Sequence, residues 1–491
     1  MGKYVLSIDQ STQGTKALLF DEQGILLERS DLSHQQIVNN KGWVSHNPME
    51  IYGNCIQVVK DLVEKSGIDK NDIQCLGVTN QRETSVVWSH VTGEPIADAI
   101  VWQCARATEI CEEVEEKGMA ELIRTRTGMN LSPYFPASKY AWLLRNIEGA
   151  KEQEKKEELR YGTIDSWVVY KLTGGKVHKT DYSNASRTQL FNIIDLKWDE
   201  EICEIFGLNS KYLPEVCDSN ALYGETDFDG YLDKPIPIHG VMGDSHGALF
   251  GQGCLKAGMI KATYGTGSSI MMNIGEKPVL SKHGVVTSLA WGLDGKVNYV
   301  LEGNINYSGA VITWLQKDLT LIESHKETQA LAEEAEQNDG LYLVPAFTGL
   351  GAPYWNSKAT GTLWGITRTT GKAEMVRAGL ECIAYQITDI VEAMEKDTGI
   401  EVEELRVDGG PTSNGYLMQF QSDILECVVQ IPNAEELSGI GVAYAAGIGS
   451  GQYTDKVFDQ LERVKYTPVM EKEKRAVKYA GWLKVINKTI S

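Results

Sequence analysis

With 491 residues, of which 42% are hydrophobic and 23% charged, the chain is long enough for two to four domains with sizeable cores. Its net charge of −20 repels polyanions and argues against a nucleic-acid partner, although local N–H groups and a metal ion would still hold a small anion. No apolar run approaches the roughly 20 residues that span a bilayer, and the first residues enter a strand without a secretory signal, so we expect a cytoplasmic protein with no membrane partner.

The first half of the chain alternates apolar strands with amphipathic helices. Strands are expected at residues 4–8, 16–20, 25–28, 73–79 and 85–89. Helices are expected at 48–65, 107–124 and 137–147, and the Lys- and Glu-rich segment 148–158 is interpreted as a solvated helix end or loop. This alternation is typical of an α/β domain.

The second half repeats the pattern. Strands are expected at 259–264, 268–273, 404–408 and 427–431, and helices at 308–319 and 373–396, with a further helix opened by Pro-Thr-Ser-Asn at 411–414. No low-complexity linker separates the halves. We therefore predict an N-terminal domain at 1–250 and a C-terminal domain at 251–491.

One local pattern occurs three times: an apolar strand runs into an aspartate, followed by small, polar, glycine-bearing residues. The three aspartates are Asp9, Asp244 and Asp408. At such a strand end, backbone N–H groups and a carboxylate can face a phosphate or its metal ion. The alternative for each aspartate is a turn cap that accepts hydrogen bonds from its own backbone. The spacing favours two related lobes around one nucleotide.

The commoner nucleotide-binding signatures are absent. Residues 370–373 contain a Gly-Lys pair but no glycine five positions before it, so they do not form a P-loop. Residues 264–269 contain GxG without the third glycine of a dinucleotide fingerprint.

Longer motifs carry a family resemblance. They include Asn-Gln-Arg-Glu-Thr at 80–84, Tyr-Phe-Pro-Ala-Ser-Lys at 134–139 and Thr-Tyr-Gly-Thr-Gly at 263–267, with further matches at 99–104, 162–167, 181–188, 345–355, 361–381, 408–410 and 417–423. By these segments the chain resembles the FGGY family of carbohydrate kinases, and within that family its glycerol kinases most closely. Gly379 departs from the pattern, because a larger residue is usual there.

The resemblance implies two actin-like (ribonuclease H-like) ATPase domains that flank a central cleft, commonly assembled as a homodimer or homotetramer. ATP would bind mainly to the C-terminal domain, and a small polyol or sugar would lie between the domains. Asp244 would be the catalytic base, and Asp9 and Asp244 would face Mg²⁺. Phosphoryl transfer needs positioning and electrostatics above all, which a carboxylate beside the attacking hydroxyl supplies.

The resemblance also assigns the ligand contacts. The acceptor would contact Arg82, Glu83, Trp102, Tyr134, Asp244, Ser245 and Ser269. The nucleotide would contact Thr12, Gln13, Lys16, Gly265, Thr266, Gly309, Thr313, Gly410 and Asn414. Without the family, Arg82 and Glu83 would be interpreted as an exposed ion pair of little energetic weight and Trp102 as a core aromatic residue. His246 is a weaker candidate for a substrate contact.

Two departures from the glycerol kinases concern the acceptor pocket. Ser269 stands where those proteins have Phe, and Ser245 where they have Gln. Smaller side chains predict a larger acceptor, such as a tetritol, a pentitol or a ketopentose. The alternative is that neighbouring loops refill the space and glycerol remains the substrate. A second class of function, an actin- or chaperone-like ATPase that drives partner binding, gives no purpose to a sugar-binding Arg-Glu pair.

Overall fold

The computed structural model describes residues 2–336 and 340–491. The strands of the first half are β1 (Tyr4–Gln10), β2 (Gly14–Phe20), β3 (Leu26–Ser33), β4 (Ile37–Val38), β5 (Val44–His46), β6 (Ile73–Asn80), β7 (Ser85–Ser89), β8 (Ala99–Ile100), β9 (Leu159–Thr163), β10 (Lys179–Asp181), β11 (Phe191–Asn192), β12 (Lys197–Trp198), β13 (Glu215–Cys217), β14 (Glu225–Thr226) and β15 (Ile236–Gly243). Those of the second half are β16 (Ile260–Tyr264), β17 (Ser268–Gly275), β18 (Val286–Leu293), β19 (Lys296–Ile305), β20 (Tyr342–Val344), β21 (Thr362–Trp364), β22 (Glu404–Asp408), β23 (Val428–Pro432) and β24 (Arg463–Tyr466).

The helices alternate with these strands. They are α1 (Pro48–Ser66), α2 (Thr108–Glu116), α3 (Ala120–Thr127), α4 (Pro136–Asn146), α5 (Ala150–Lys155), α6 (Ile164–Leu172), α7 (Tyr182–Ala185), α8 (Glu200–Phe206), α9 (Asp244–Gly251), α10 (Gly309–Lys317), α11 (Thr328–Glu334), α12 (Lys372–Thr398), α13 (Gly415–Leu425), α14 (Leu437–Gly449) and α15 (Lys472–Ile490). None of the helices in residues 2–336 and 340–491 has the length and apolarity that a membrane span requires.

Most predicted elements are present with small shifts at their ends. The single helix predicted over 107–124 is wrong: Gly118, at φ 73°, separates α2 from α3. Glycine adopts this left-handed conformation without the steric penalty of a Cβ, and it interrupts a helix for the same reason. The Pro-Thr-Ser-Asn segment is a short 3₁₀ turn, and α13 begins after it with Asn414 as its N-cap.

The first large sheet has the strand order β14-β15-β6-β1-β2-β3. Its central strands β15, β6 and β1 are parallel, and β1, β2 and β3 are antiparallel. Since side chains alternate between faces, Leu6 and Ile8 of β1 pack against α1 and α6, whereas Val5 packs with α9 and α14. A smaller sheet, β4-β5-β8-β7-β9, joins α2, α4 and α8 in a separate core of the same half.

The second large sheet has the order β18-β19-β17-β16-β22-β23-β24. One face packs against α12, α13 and α15. The other face contributes Met271 and Val300 to the cluster that also contains α9 and α14. The two sheets therefore lie on opposite sides of a helical layer, and α14 returns from the end of the chain to the first sheet. The predicted division at 250 and 251 falls at the C-terminal end of α9 and stays a prediction.

Glycines permit this central layer to be tight. A Cβ on Gly441 of α14 would lie 1.9 Å from the carbonyl oxygen of Gly247 in α9. A Cβ on Gly77 of β6 would lie 2.5 Å from the carbonyl oxygen of Val442. The small-residue segment 439–447 thus brings two helices and a strand within backbone contact.

Candidate active site

The cleft opens where three parallel strands of the first sheet end. Asp9 lies near the end of β1, Arg82 and Glu83 follow β6, and Asp244 follows β15. The register places Gln10 beside Asn80 and Gly243 beside Asn80, so these chain segments leave the sheet side by side. Ligands of open α/β sheets bind at the carboxyl ends of parallel strands, and this edge is the corresponding position.

A cavity of about 520 Å³ lies between this edge and the β16–β17 turn of the second sheet. From the predicted acceptor and phosphate contacts it brings together Thr12, Arg82, Glu83, Trp102, Tyr134, Asp244, Ser245, Gly265, Thr266 and Ser269. Thr263, Asn304 and Asn306 complete its polar wall. The residues predicted from two separate halves of the chain therefore share one cavity.

Asp244 is the first residue of α9 and has a half-exposed side chain. Its Oδ1 accepts hydrogen bonds from Arg82 Nε at 3.1 Å and from the backbone N–H of Ser245 at 2.7 Å. Oδ1 alone therefore makes the hydrogen bond expected of a turn cap. Oδ2 has no donor among the residues that the structure describes, which leaves it available to accept a proton from a bound hydroxyl.

Asp9 is buried, and its carboxyl group has unusual electrostatics. Burial raises its pKa to about 7; Asp244 and Glu436 add to the rise, and Lys16 opposes it. Within residues 2–336 and 340–491 no group of three His, Cys, Asp or Glu side chains converges on a metal position. Mg²⁺ commonly takes one or two carboxylates and completes its shell with water and phosphate oxygens. The Asp9 carboxylate is destabilised by burial and by the nearby carboxylate of Asp244, and a bound Mg²⁺ would offset both effects. The two residues therefore fit such an ion.

We expect Asp9→Asn to stabilise the ligand-free protein at about pH 8. Because the pKa is near 7 in the folded state and 3.8 in the reference state, the folded chain holds the proton more tightly, and stability is lost as pH rises from about 4 to about 7. Asn removes this penalty. The thermal midpoint without divalent cations should rise by several degrees, and the Mg²⁺ concentration for half-maximal activity should also rise.

Asp459→Asn, at an exposed position, is the control and should leave both quantities unchanged. An Asp9→Asn midpoint at or below that of the unaltered protein would show that the buried carboxylate is not strained.

A buried charge cluster lies beneath the acceptor side of the cavity, and we define it as Arg82, Glu83, Arg187, Asp244 and Glu302. Arg82 donates from Nη1 and Nη2 to the two oxygens of Glu302, both at 2.9 Å. Arg187 Nε donates to Glu83 at 2.6 Å, and its Nη1 lies 3.0 Å from Glu302. Burial would raise the pKa of Glu302, but Arg187 and Arg82 hold it well below its ordinary value.

Two members of this cluster, Arg187 and Glu302, were not predicted as site residues. Arg187 lies inside segment 181–188, which matches the family. The match marks the segment, but it does not assign a role to Arg187. Glu302 is a charged residue within an apolar stretch of β19, at an inward position, which is itself a sign of a buried partner. Glu83 was predicted, and its φ of 58° places a non-glycine residue in the left-handed region, as is common at functional sites.

An aromatic wall closes one side of the cavity. Trp102 donates from Nε1 to Thr12 Oγ1 at 2.9 Å, and its ring centroid lies 5.5 Å from that of Tyr134. Behind the wall, Lys139 donates from Nζ to the backbone carbonyls of Trp102 and Tyr134, and burial lowers its pKa to about 7. Trp102 therefore lines the cavity and also packs against the core of the first half.

The serines at the two departures lie in the cavity wall. Ser245 Oγ accepts from Arg82 Nη2 at 3.2 Å. Ser269 Oγ is buried and has no hydrogen-bond partner among the described residues, so it has donor and acceptor capacity to spare. His246 is fully buried behind the wall and is not among the lining residues, so the structure gives no support to a substrate contact there.

A second cavity, of about 570 Å³, adjoins the first on the side of the second sheet. Gly309, Thr313, Gly410 and Asn414 line it, and their contact with a nucleotide stays a prediction. A Cβ on Gly309 would lie 2.7 Å from the carbonyl oxygen of Gly265, so the two segments that separate the cavities touch through their backbones.

The helix starts here also match the prediction. Asn414 caps α13 through its side-chain oxygen, which accepts from the N–H of Leu417 at 3.0 Å. Gln13 and Lys16, also predicted to contact the nucleotide, line neither of the two cavities. Gln13 is exposed, and Lys16 Nζ donates to Glu436 at 2.7 Å. Their nucleotide contact stays a prediction.

Comparison with known proteins agrees with this geometry. Residues 4–251 match the family model for the FGGY family of carbohydrate kinases, N-terminal domain, and residues 260–450 match that for the C-terminal domain. The glycerol kinase of Bacillus licheniformis is 46% identical over 490 residues, 99% of each chain. A crystal structure of Plasmodium falciparum glycerol kinase with ADP has a TM-score of 0.94 at 35% identity and covers 100% of this chain and 99% of that chain. A ligand-bound xylulose kinase from Lactobacillus acidophilus shares the fold, with a TM-score of 0.88 at 21% identity over 99% of this chain and 98% of that chain.

The chain belongs to the FGGY family of carbohydrate kinases. It is an ATP-dependent phosphotransferase with an alcohol group as acceptor, built from two actin-like domains, as the resemblance implied. The actin- or chaperone-like ATPase, the alternative class of function, is not favoured.

Proposed function

We propose that the chain transfers the γ-phosphoryl group of ATP to a terminal hydroxyl of an uncharged polyol or ketose, with Asp244 as the general base. The observation that carries this proposal is the single cavity that joins Asp244 and Arg82 to the Gly265 and Thr266 turn. Asp244 Oδ2 accepts the hydroxyl proton, and Arg82 holds the carboxylate in position through Oδ1. Asp9 and Asp244 are the residues that would hold Mg²⁺, which when bound neutralises charge on the phosphates.

The remaining residues bind and orient the two substrates. The turn at Gly265 and Thr266 faces the phosphates through Thr266, because the N–H of Gly265 donates to the carbonyl oxygen of Gly267 at 2.8 Å. The second cavity takes the adenosine between Gly309 and Asn414. Glu83 accepts from the hydroxyls of the acceptor, and the Trp102 ring packs on its carbon chain. Closure of the two domains excludes water, so that ATP is not simply hydrolysed.

For the acceptor itself, we propose four or five carbons, with glycerol as the alternative. The similar proteins named above are glycerol kinases, which supports a polyol with a terminal hydroxyl. Ser269 and Ser245 offer small hydroxyl side chains in the cavity wall, and the Ser269 hydroxyl has no protein partner in the described chain. A longer acceptor fills the space that these small side chains leave.

Ser269→Phe is expected to shift acceptor preference toward glycerol. The phenyl ring would restore a contact to a small acceptor, and such a contact is typically worth about 1–3 kcal/mol. The ratio of kcat/KM for glycerol to that for the best longer acceptor should therefore rise by about 10- to 200-fold. Initial rates of ADP release across three- to six-carbon polyols and ketoses measure this ratio.

Ser269→Ala is the control, because it removes the hydroxyl and leaves the space. It should leave the ratio of kcat/KM for glycerol to that for the longer acceptor nearly unchanged. An unaltered protein that uses glycerol better than every longer polyol would rule out the enlarged acceptor.

We also propose a cytoplasmic protein that assembles as a homodimer or homotetramer. The nine cysteines are free thiols, eight of them buried, which suits a reducing compartment. Light scattering on the purified chain measures the assembly state.

A further inference from the structure

The charge cluster beneath the acceptor has more carboxylates than guanidinium groups. Its positive members are Arg82 and Arg187, and its negative members are Glu83, Asp244 and Glu302. All except Asp244 are nearly inaccessible to solvent, and charges taken out of water must be compensated by neighbours. The charges of these five side chains therefore determine whether the cavity can accept a charged ligand.

Each arginine already has two carboxylate partners. Arg82 faces Glu302 with both terminal nitrogens and Asp244 with Nε, while Nη2 also reaches Ser245. Arg187 is shared between Glu83 and Glu302. Glu302 is common to both arginines. It comes from β19 of the second sheet, more than 100 residues along the chain from either arginine.

Two buried lysines lie near the cluster, and both direct their ammonium groups to atoms outside it. Lys139 directs Nζ to the backbone carbonyls of Trp102 and Tyr134, and burial lowers its pKa. Lys261 Nζ donates to Thr263 Oγ1 at 2.9 Å, and among the charged side chains Asp408 has the largest electrostatic influence on it. Neither lysine supplies a free cation to the acceptor side.

We propose that Glu302 is a specificity-determining residue that restricts the acceptor to uncharged molecules. By accepting from both terminal nitrogens of Arg82, the guanidinium group that lines the cavity, it prevents Arg82 from binding the carboxylate of a sugar acid. A carboxylate in the cavity would lie beside the carboxylates of Glu83, Asp244 and Glu302, and it would have to displace a buried partner to pair with Arg82. This inference rests on the proposed polyol kinase activity and assigns its preference for uncharged acceptors to Glu302.

The test compares acceptors that differ only at one end: glycerol with glycerate, erythritol with erythronate, and xylitol with xylonate. With the unaltered protein, the inhibition constant of each acid against its polyol should exceed the KM of that polyol by about 100-fold or more. Glu302→Gln should narrow this ratio by about tenfold or more, because it keeps the shape of the side chain and frees guanidinium charge. Glu302→Asp keeps the charge and should retain most of the original discrimination.

Asp199→Asn is the matched control, because Asp199 is a buried carboxylate paired with an arginine outside the cleft. Loss of stability alone would lower activity in both variants without changing the acid-to-polyol ratio. An unaltered protein that binds the acid as tightly as the polyol overturns the proposal, and this result needs no variant. A folded Glu302→Gln protein with an unchanged ratio overturns it equally. If no neutral polyol is phosphorylated at all, the proposed function fails instead, and acid binding measured by Trp102 fluorescence still decides the question of charge.

Discussion

Replacing Asp244 with Asn is expected to lower kcat by about 10²- to 10⁴-fold and to leave ATP affinity nearly unchanged. Asn keeps the shape of the side chain and its hydrogen bond from Ser245, but it cannot accept the proton of the attacking hydroxyl. Since the nucleotide cavity is lined by other residues, its contacts to metal-free ATP survive the change. Single-turnover rates with saturating acceptor, together with ATP dissociation constants, measure the two quantities separately.

Ser245→Ala is the matched control for this experiment. It removes the neighbouring contact to Arg82 Nη2 and keeps the carboxylate, so kcat should fall by less than about tenfold. If Asp244→Asn retains more than a few per cent of turnover, Asp244 is not the base, and another group must accept the proton.

Replacing Arg187 with Met is expected to lower the free energy of unfolding by about 3–5 kcal/mol. The change leaves Glu83 without its 2.6 Å ion pair and removes one of the two guanidinium groups that hold Glu302. Both carboxylates are almost fully buried, so water cannot replace the missing charge. The midpoint of urea denaturation, with the slope unchanged, measures the loss.

Arg126→Met is the control, because Arg126 pairs with Asp199 and Glu201 while about a third of its side chain is exposed. An ion pair of this kind contributes at most about 1 kcal/mol, and its loss should be correspondingly small. Equal losses in the two variants would show that the charge cluster has no special energetic weight.

The strand-end aspartates were the most predictable part of the site. The pattern around Asp9 and Asp244 is local, and it identifies the turn without knowledge of the fold. The local pattern does not show that the two aspartates lie close together. β1 and β15 are separated by more than 200 residues and come near each other only because both pair with β6. The family resemblance supplied that step, and the sheet order confirms the fold it implied.

The members of the site that sequence reasoning missed are those defined by long-range pairing. Glu302 lies 220 residues from Arg82, and nothing in its own strand shows which cation it faces. The single helix predicted over 107–124 failed for a different reason, since hydrophobic periodicity continued across Gly118 although the backbone turned there. Periodicity reports the buried face of a segment, and it does not report where the backbone is interrupted.

The most direct test of the account is ³¹P NMR of the reaction products with ATP, Mg²⁺ and a panel of three- to six-carbon polyols and ketoses. If the two domains hold ATP and a neutral acceptor in one water-excluded cavity with Asp244 beside the hydroxyl, at least one compound gives a terminal phosphomonoester in equal amount to ADP. Release of ADP with inorganic phosphate and no phosphorylated acceptor across the whole panel would contradict it.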